Sequence, residues 1–121
     1  MNSLRRAAES APLLFLLAVA GCSRPGSHLL GRAPEGAAIP LDVARHTAVG
    51  TSVTVKGVMV EKCPEAGCWF VLKDATGTLR VDTKTAGFVV LEVPLRQTVS
   101  VSGELVTNGA ETLLAATGVR Y

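Results

Sequence analysis

Apolar and polar residues alternate along most of the chain from Thr51 onward. Alternation with a period of two is typical of strands that have one face on a core and the other in solvent. Gly77, in the turn-like sequence ATGT, and the pair Asn108-Gly109, a strong hairpin signal, separate neighbouring strands. The five predicted strands lie in TSVTVKGVMVEK, CWFVLKD, LRVDT, QTVSVSGELV and ETLLAATGVRY.

Two of these strands carry a glycine at the same place. VTVKGVMV and VSVSGELV share the pattern V-x-V-x-G-x-x-V, with Gly57 and Gly103 in matching positions. A glycine inside a long strand indicates a bend or bulge, and a small closed barrel needs such bends at its corners. The pattern therefore predicts an all-β fold, a small five-stranded OB-like barrel, with an open sandwich as the alternative.

Two further segments complete the predicted domain, residues 41–121. LDVARHTAVG, residues 41–50, predicts one or two helical turns that Asp42 can cap. KTAGFVVLEVP, residues 84–94, is ambiguous between a short helix and a buried extended crossing that Pro94 ends. Asp74, directly before the turn ATG, is predicted to cap that turn.

Residues 1–21 have the pattern of an export signal. Arg5 and Arg6 precede the apolar run APLLFLLAVAG, which is shorter than the roughly 20 residues that span a bilayer. The run ends in LAVAGC, which resembles the lipobox of bacterial lipoprotein precursors, and this resemblance implies that Cys22 is lipidated after cleavage. With Ser23 next, it implies a cell-envelope protein, lipid-anchored in the outer membrane and facing the periplasm. The alternative is an ordinary secretory signal in which Cys22 is incidental.

Residues 22–40, rich in Gly, Pro, Ala and Ser, predict a flexible tether between the lipid and the domain. The chain has 12 Lys and Arg against 10 Asp and Glu, and aromatic residues make up 4% of it. Single-strand nucleic-acid binders need a positive groove and stacking rings, so no nucleic-acid partner is predicted.

The stretch CPEAGCWF, residues 63–70, contains two of the three cysteines and the only tryptophan. An exported protein with one remaining cysteine pair favours a structural disulfide, here Cys63–Cys68. Such a loop of about six residues would gain roughly 2 kcal/mol in the chain-entropy model. Trp69 would pack beside the disulfide or cover the mouth of the barrel.

Two other interpretations of the cysteine pair stay open. Two thiolates suit copper(I) or zinc, and these metals take two to four ligands. Thiol exchange is less favoured, because the pair is not C-x-x-C and no helix N-terminus is predicted to lower a thiol pKa. Additional metal ligands would have to come from His46, Asp82, Glu65 or His28.

The stretch VTVKGVMVEKCPEAGCWFVLKD resembles a family of exported bacterial proteins with an OB-like fold and no assigned biochemical function. The shared pattern extends from the V-x-V-x-G strand to C-x4-C-W, followed by an apolar residue, Leu and Asp. The resemblance covers roughly residues 51–106 and implies fold and location, not a reaction. The matching residues are Val53, Val55, Gly57, Cys63, Cys68, Trp69, Phe70, Leu72 and Asp74.

These observations predict a membrane-anchored binding module for an envelope protein or a small ligand. The chain contains neither G-x-S-x-G nor a glycine-rich phosphate loop, so no enzyme activity and no cofactor are predicted. The rival hypothesis is a copper- or zinc-binding, or thiol-active, protein that uses Cys63 and Cys68. The candidate binding surface comprises Trp69, Phe70, Phe88 and Glu65, with His46 as a candidate metal ligand.

Overall fold

The computed structural model describes residues 28–121 of the chain. These residues contain six strands and one short α-helix. The predicted export signal and the predicted lipidation site Cys22 lie outside these residues. A 3-10 helix, Lys84–Ala86, follows the fourth strand. The elements in chain order are β1 (Leu29–Gly31), α1 (Leu41–Arg45), β2 (Ser52–Lys62), β3 (Trp69–Asp74), β4 (Gly77–Asp82), β5 (Thr98–Asn108) and β6 (Glu111–Arg120).

The strands β2 to β6 close into a barrel. β2 pairs antiparallel with both β3 and β5, and β3 pairs antiparallel with β4. β6 completes the ring by pairing parallel with β4 and antiparallel with β5. This is the topology of an OB fold, so the predicted five-stranded all-β barrel is confirmed. The open sandwich is wrong, because β6 joins the two ends of the sheet.

The predicted glycine bends are present in both long strands. β2 pairs with β5 as far as Val58 and with β3 from Val58 onward, so the strand passes between two parts of the sheet beside Gly57. A Cβ atom at Gly57 would lie 2.8 Å from the carbonyl oxygen of Lys73. In β5, the register with β6 shifts between Ser102 and Gly103. Glycine is needed at both bends because the neighbouring backbone leaves no room for a side chain.

The barrel interior is filled by the alternate, inward-facing side chains of its strands. The short helix α1 adds Leu41 and Ala44 to this core, and neither is exposed. The segment before β5 adds Val90 and Val93. The remaining core side chains from the barrel strands are Val55, Met59, Phe70, Leu72, Leu79, Val81, Val99, Val101, Leu105, Leu114, Ala116 and Val119.

The ambiguous crossing, segment 84–94, is neither a continuous helix nor a regular extended strand. It begins with the 3-10 helix, which ends where Gly87 adopts a left-handed conformation with φ of 84°. A second turn follows, in which the backbone N–H of Val93 donates to the carbonyl of Val90 at 3.1 Å. The Nζ atom of Lys62 donates to the carbonyl oxygens of Leu91, at 2.8 Å, and Val93, at 2.6 Å. These hydrogen bonds fix the crossing to the end of β2.

The segment before the helix packs on the barrel, which the prediction of a flexible tether over residues 22–40 did not anticipate. β1 pairs with β6, with Leu30 opposite Val119. The backbone N–H of Ile39 donates to the carbonyl of Thr54 at 2.9 Å. The reason is that the isolated apolar side chains Leu30 and Ile39 pack against the core, despite the polar and glycine-rich sequence around them. The domain boundary at residue 41 stays a prediction.

The β5–β6 hairpin turns one residue later than the Asn-Gly signal predicted. Asn108 still pairs with Glu111, so the two turn residues are Gly109 and Ala110. Gly109 has a positive φ of 66°, which glycine adopts without strain. Within residues 28–121, no helix is long and apolar enough to cross a membrane.

Candidate functional site

The outer face of β3 and β4 is the part of the barrel wall that carries the tryptophan. Successive side chains of a strand point to opposite faces. Phe70 is therefore buried and Trp69 faces outward, opposite Asp82 on β4. Val71 also faces outward and is paired with Arg80. This outer face is half-buried, so it offers both apolar area and charge at one place.

Arg80 lies against the ring of Trp69. Its guanidinium carbon is 4.4 Å from the ring centroid. Such a cation–π contact contributes about 0.5–1 kcal/mol at an exposed site. It orders both side chains on the surface and keeps the guanidinium beside the ring, where it can still donate hydrogen bonds to a ligand.

A cleft of about 430 Å³ lies between α1, the β3–β4 face and the β5–β6 hairpin. Arg45 contributes from the helix, and its Nη1 atom donates to the carbonyl of Thr78 at 3.1 Å. Arg80 contributes from β4, and Glu111 is the acidic residue of the lining. The lining residues are Arg45, His46, Val71, Thr78, Leu79, Arg80, Ala110, Glu111 and Thr112. The lining of this cleft, the Arg80 cleft, has two arginines and one glutamate, and the Nη2 atom of Arg45 is also 3.5 Å from the Oδ1 atom of Asp42.

Asp74, at the end of β3, fixes the helix beside the cleft. Its Oδ2 atom accepts from the backbone N–H of Leu41, at 2.9 Å, and its Oδ1 atom accepts from Thr76 and Gly77. Burial raises the pKa of Asp74, but the hydrogen bonds from Thr76, Leu41 and Gly77 outweigh it and lower the pKa below 3.8. The prediction that Asp74 caps the turn is right.

Asp42, the predicted cap of α1, does not cap it. The N-cap position is Pro40, and no side-chain cap comes from the helix itself. Asp74 caps the helix from a distant strand, and the hydroxyl of Thr76 accepts from the backbone N–H of Asp42 at 3.0 Å. Arg45 and His46 are thus placed over the cleft by the β3–β4 turn.

The loop between β2 and β3 holds Cys63 and Cys68. Both are free thiols and half-exposed, and they are not joined by a disulfide. The backbone N–H of Cys63 donates to the carbonyl of Trp69 at 3.0 Å, which continues the β2–β3 ladder. The backbone N–H of Gly67 donates to the carbonyl of Cys63 at 3.2 Å and closes a one-turn loop.

The two thiols have different electrostatic surroundings. Hydrogen bonds from the backbone N–H groups of Ala66 and Glu65 lower the pKa of Cys63 from 9.0 to about 7. Burial, and then the hydrogen bond with Cys63, raise the pKa of Cys68 above 9.0, although the charge of Lys84 acts in the other direction. As the pH rises through neutrality, Cys63 therefore loses its proton before Cys68 does.

Comparison with known proteins identifies the family. A model of the bacterial OB fold (BOF) protein family matches residues 23–120. The chain belongs to the BOF family. The solved structure of the hypothetical protein YgiW from E. coli is similar to this BOF chain, with a TM-score of 0.57 and 24% sequence identity. The similarity covers 73% of the BOF chain and 94% of YgiW, and it supports the fold alone. No curated protein matches significantly.

The BOF barrel does not present all four residues of the predicted binding surface. Phe70 was wrongly placed on it, because it is 0% exposed and points into the barrel. Phe88 is half-buried against the core, and its ring lies directly against Gly31 of β1. Trp69 faces outward, and Glu65 is exposed in the cysteine loop.

The predicted metal ligands do not come together in the BOF structure. Among the described residues, no group of three His, Cys, Asp or Glu side chains is close enough to hold a metal ion. His46 lies in the Arg80 cleft, 75% exposed, with its Nδ1 atom 2.8 Å from the carbonyl oxygen of Asp42. His28 stacks on Tyr121, with the ring centroids 5.0 Å apart. Asp82 accepts from the backbone N–H of Lys84 at 2.7 Å.

Sequence reasoning missed Arg45 and Arg80, the two cations of the BOF cleft. Arg80 alternates with the apolar residues Leu79 and Val81 in LRVDT, so the sequence pattern could have predicted that it faces outward. Its partner across the sheet was not, because the register of β3 and β4 depends on the geometry of the turn between them. Arg45 depends in addition on the cap that Asp74 provides to α1.

Proposed function

We propose that this protein is an exported, lipid-anchored binding module that takes a small acidic ligand of the cell envelope in the Arg80 cleft, and that it is not an enzyme. The observation that carries the proposal is the cleft itself, which is lined by two arginines, one of which, Arg80, lies against the ring of half-buried Trp69. Small-ligand sites commonly have volumes of about 300–1,000 Å³, and the Arg80 cleft is in that range. Its size favours a small ligand over the other predicted partner, an envelope protein.

The position of the cleft supports binding as the role. OB folds bind oligosaccharides and oligonucleotides on the face of their second and third strands, between the loops that flank it. In this chain those strands are β3 and β4, and the flanking loops are the cysteine loop and the β5–β6 hairpin. Fold alone does not assign a function, so the ligand class must follow from the side chains.

The side chains of the cleft favour an acidic saccharide. Guanidinium groups bind carboxylates with two parallel hydrogen bonds, and Arg45 and Arg80 both line the cleft. Trp69 does not line the cleft, but it is connected to it through Arg80, whose guanidinium carbon lies 4.4 Å from the centroid of the indole ring. A single tryptophan and a near-neutral chain oppose nucleic acid, which requires a positive track and several stacking rings.

Replacing Arg80 by glutamine should weaken the binding of an acidic oligosaccharide by roughly ten- to a hundred-fold, because a charge-assisted hydrogen bond contributes about 1.5–3 kcal/mol. The probe is trigalacturonic acid, titrated against the fluorescence of Trp69, the only tryptophan. The matched control is Arg96→Gln, which removes an exposed arginine that does not line the cleft. Equal affinity for neutral maltotriose, or an equal loss in both variants, would contradict the proposed ligand class.

The proposed anchor is tested separately, by lipid labelling of Cys22. Cells that express the full chain are fed an alkyne-tagged palmitate, and the purified protein is assayed for the tag. We expect the wild-type chain and Cys63→Ser to carry the label and Cys22→Ser to lose it, because Cys22 is the lipobox cysteine. A wild-type chain without label, or a label that persists in Cys22→Ser, would refute lipidation at this residue.

A further inference from the structure

The cysteine loop combines a fixed half and an exposed half. The carbonyl oxygen of Gly67 accepts from the backbone N–H of Val90 at 2.9 Å and from the hydroxyl of Thr83 at 3.3 Å. The carbonyl of Cys68 accepts from the backbone N–H of Thr83 at 2.9 Å. Residues 64–66, by contrast, are exposed. Cys68 is thus fixed to the barrel, and the loop that holds Cys63 faces solvent.

The loop backbone is shaped around the sulfur of Cys63. Gly67 adopts a positive φ of 61°, and its N–H donates to the carbonyl of Cys63 at 3.2 Å, which closes the turn. Within this turn, the backbone N–H groups of Ala66 and Glu65 lower the pKa of the Cys63 thiol. Gly67 cannot be replaced, because a Cβ atom there would lie 2.8 Å from the backbone nitrogen of Leu91. Backbone N–H groups aimed at a sulfur stabilise its thiolate in the same way as a helix N-terminus does.

The backbone N–H of Cys63 donates to the carbonyl of Trp69 at 3.0 Å, which places Cys68 beside Cys63 where the loop closes. The two thiols interact electrostatically, so an attacking sulfur and a second sulfur are close together. The charged groups near them are few. Lys84 interacts with Cys68, and Glu65 is an exposed member of the loop itself. Lys62 is turned away, because its ammonium group is hydrogen-bonded to the crossing before β5.

We propose that Cys63 and Cys68 form a thiol–disulfide exchange site, in which Cys63 attacks a disulfide and Cys68 resolves the product. The Cys63 thiolate forms a bond to one sulfur of the substrate disulfide, and the other sulfur leaves as a thiolate. Cys68 then loses its proton to the leaving thiolate or to water, and its sulfur attacks that of Cys63. The intramolecular disulfide forms, and the second half of the substrate leaves. The pair is oxidised by two electrons and the substrate disulfide is reduced to two thiols.

This inference does not depend on the Arg80 cleft. A chain that binds no acidic saccharide can still exchange disulfides, and a chain with inert cysteines can still bind a saccharide. The substrate class is an accessible disulfide, of a small thiol or of an exported protein. Glutathione disulfide distinguishes them, since a site that needs a folded partner would leave it unreacted.

The experiment follows the tryptic peptide 63–73, CPEAGCWFVLK, which contains both cysteines and excludes Cys22. The full-length protein is reduced, mixed with glutathione disulfide at pH 7, quenched with acid and analysed by tandem mass spectrometry. We expect the glutathione adduct on Cys63 first, followed by a peptide lighter by two hydrogens. Cys68→Ser, whose hydroxyl keeps a hydrogen-bond donor, should accumulate the adduct on Cys63. Cys63→Ser should react about five- to ten-fold more slowly, because lower thiolate content outweighs higher nucleophilicity.

Several results would overturn the proposal. Equal rates of adduct formation at the two cysteines would show that Cys63 is not the preferred nucleophile. A disulfide that a large excess of reduced glutathione does not open would make the pair a structural disulfide. A zinc or copper ion that copurifies with the chain and is lost in Cys63→Ser would make it a metal clip. A wild-type protein that does not react with glutathione disulfide would also overturn the proposal for small disulfides, whatever the variants show.

Discussion

Replacing Phe70 with alanine is expected to lower the free energy of unfolding by about 3–5 kcal/mol. Phe70 is fully buried at the start of β3, opposite Val81 of β4. Among the described residues, its side chain is the largest that is fully buried. Alanine would leave a cavity that the surrounding strands cannot close, because hydrogen bonds hold β3 on both sides. Small domains have a total stability of about 5–15 kcal/mol, so this single change removes a large share.

The neighbouring residue provides the matched control for that prediction. Trp69→Ala removes an even larger side chain from the other face of the same strand, where it is half-buried, and gives up the contact with Arg80. We expect it to cost less than Phe70→Ala, and Phe70→Leu to lie between. Urea denaturation followed by circular dichroism measures all three variants without the tryptophan signal. A larger loss for Trp69→Ala than for Phe70→Ala would contradict the orientation of β3.

The contrast between these two residues shows what the sequence determines about the fold. Alternation orients the residues of a strand between its bulges once one is placed, and Gly57 and Gly103 mark where the long strands bend. These signals favoured a closed barrel but left an open sandwich as the alternative. The strand β1 does not follow from them, because three residues, LLG, in a glycine-rich segment carry no period, and their pairing with β6 is decided by the completed barrel.

The candidate site was less predictable because its contacts join distant parts of the chain. The cap of α1 comes from Asp74, 33 positions away from Leu41. No local pattern around the helix indicates that partner. The sequence did locate the cysteine loop, but it argued against a reactive thiol from the lack of a helix N-terminus. A single tight turn provides the same N–H groups to Cys63, and sequence does not reveal where they point.

Replacing Asp74 with alanine is expected to lower the free energy of unfolding by about 1.5–3 kcal/mol at neutral pH, since hydrogen bonds to a charged group contribute about that much. The change removes the acceptor for Leu41, Thr76 and Gly77 and thereby the connection between α1 and the β3–β4 turn. Asp82→Ala is the matched control. Its carboxylate accepts one local hydrogen bond, from Lys84, and we expect a loss below 1 kcal/mol.

The pH dependence of Asp74 gives a second test with a definite sign. Its pKa is lower in the folded protein than the ordinary 3.8, so the unfolded state takes up a proton first as the pH falls. The stabilising contribution is therefore fully present above that ordinary pKa and is lost as the pH falls through the folded pKa. Asp74→Asn, which does not titrate, should differ from wild type by a constant amount above about pH 5 and converge with it in acid. A difference that grows towards low pH would mean that Asp74 is destabilised as a carboxylate. Arg45 and His46 would then need another support for their place over the cleft.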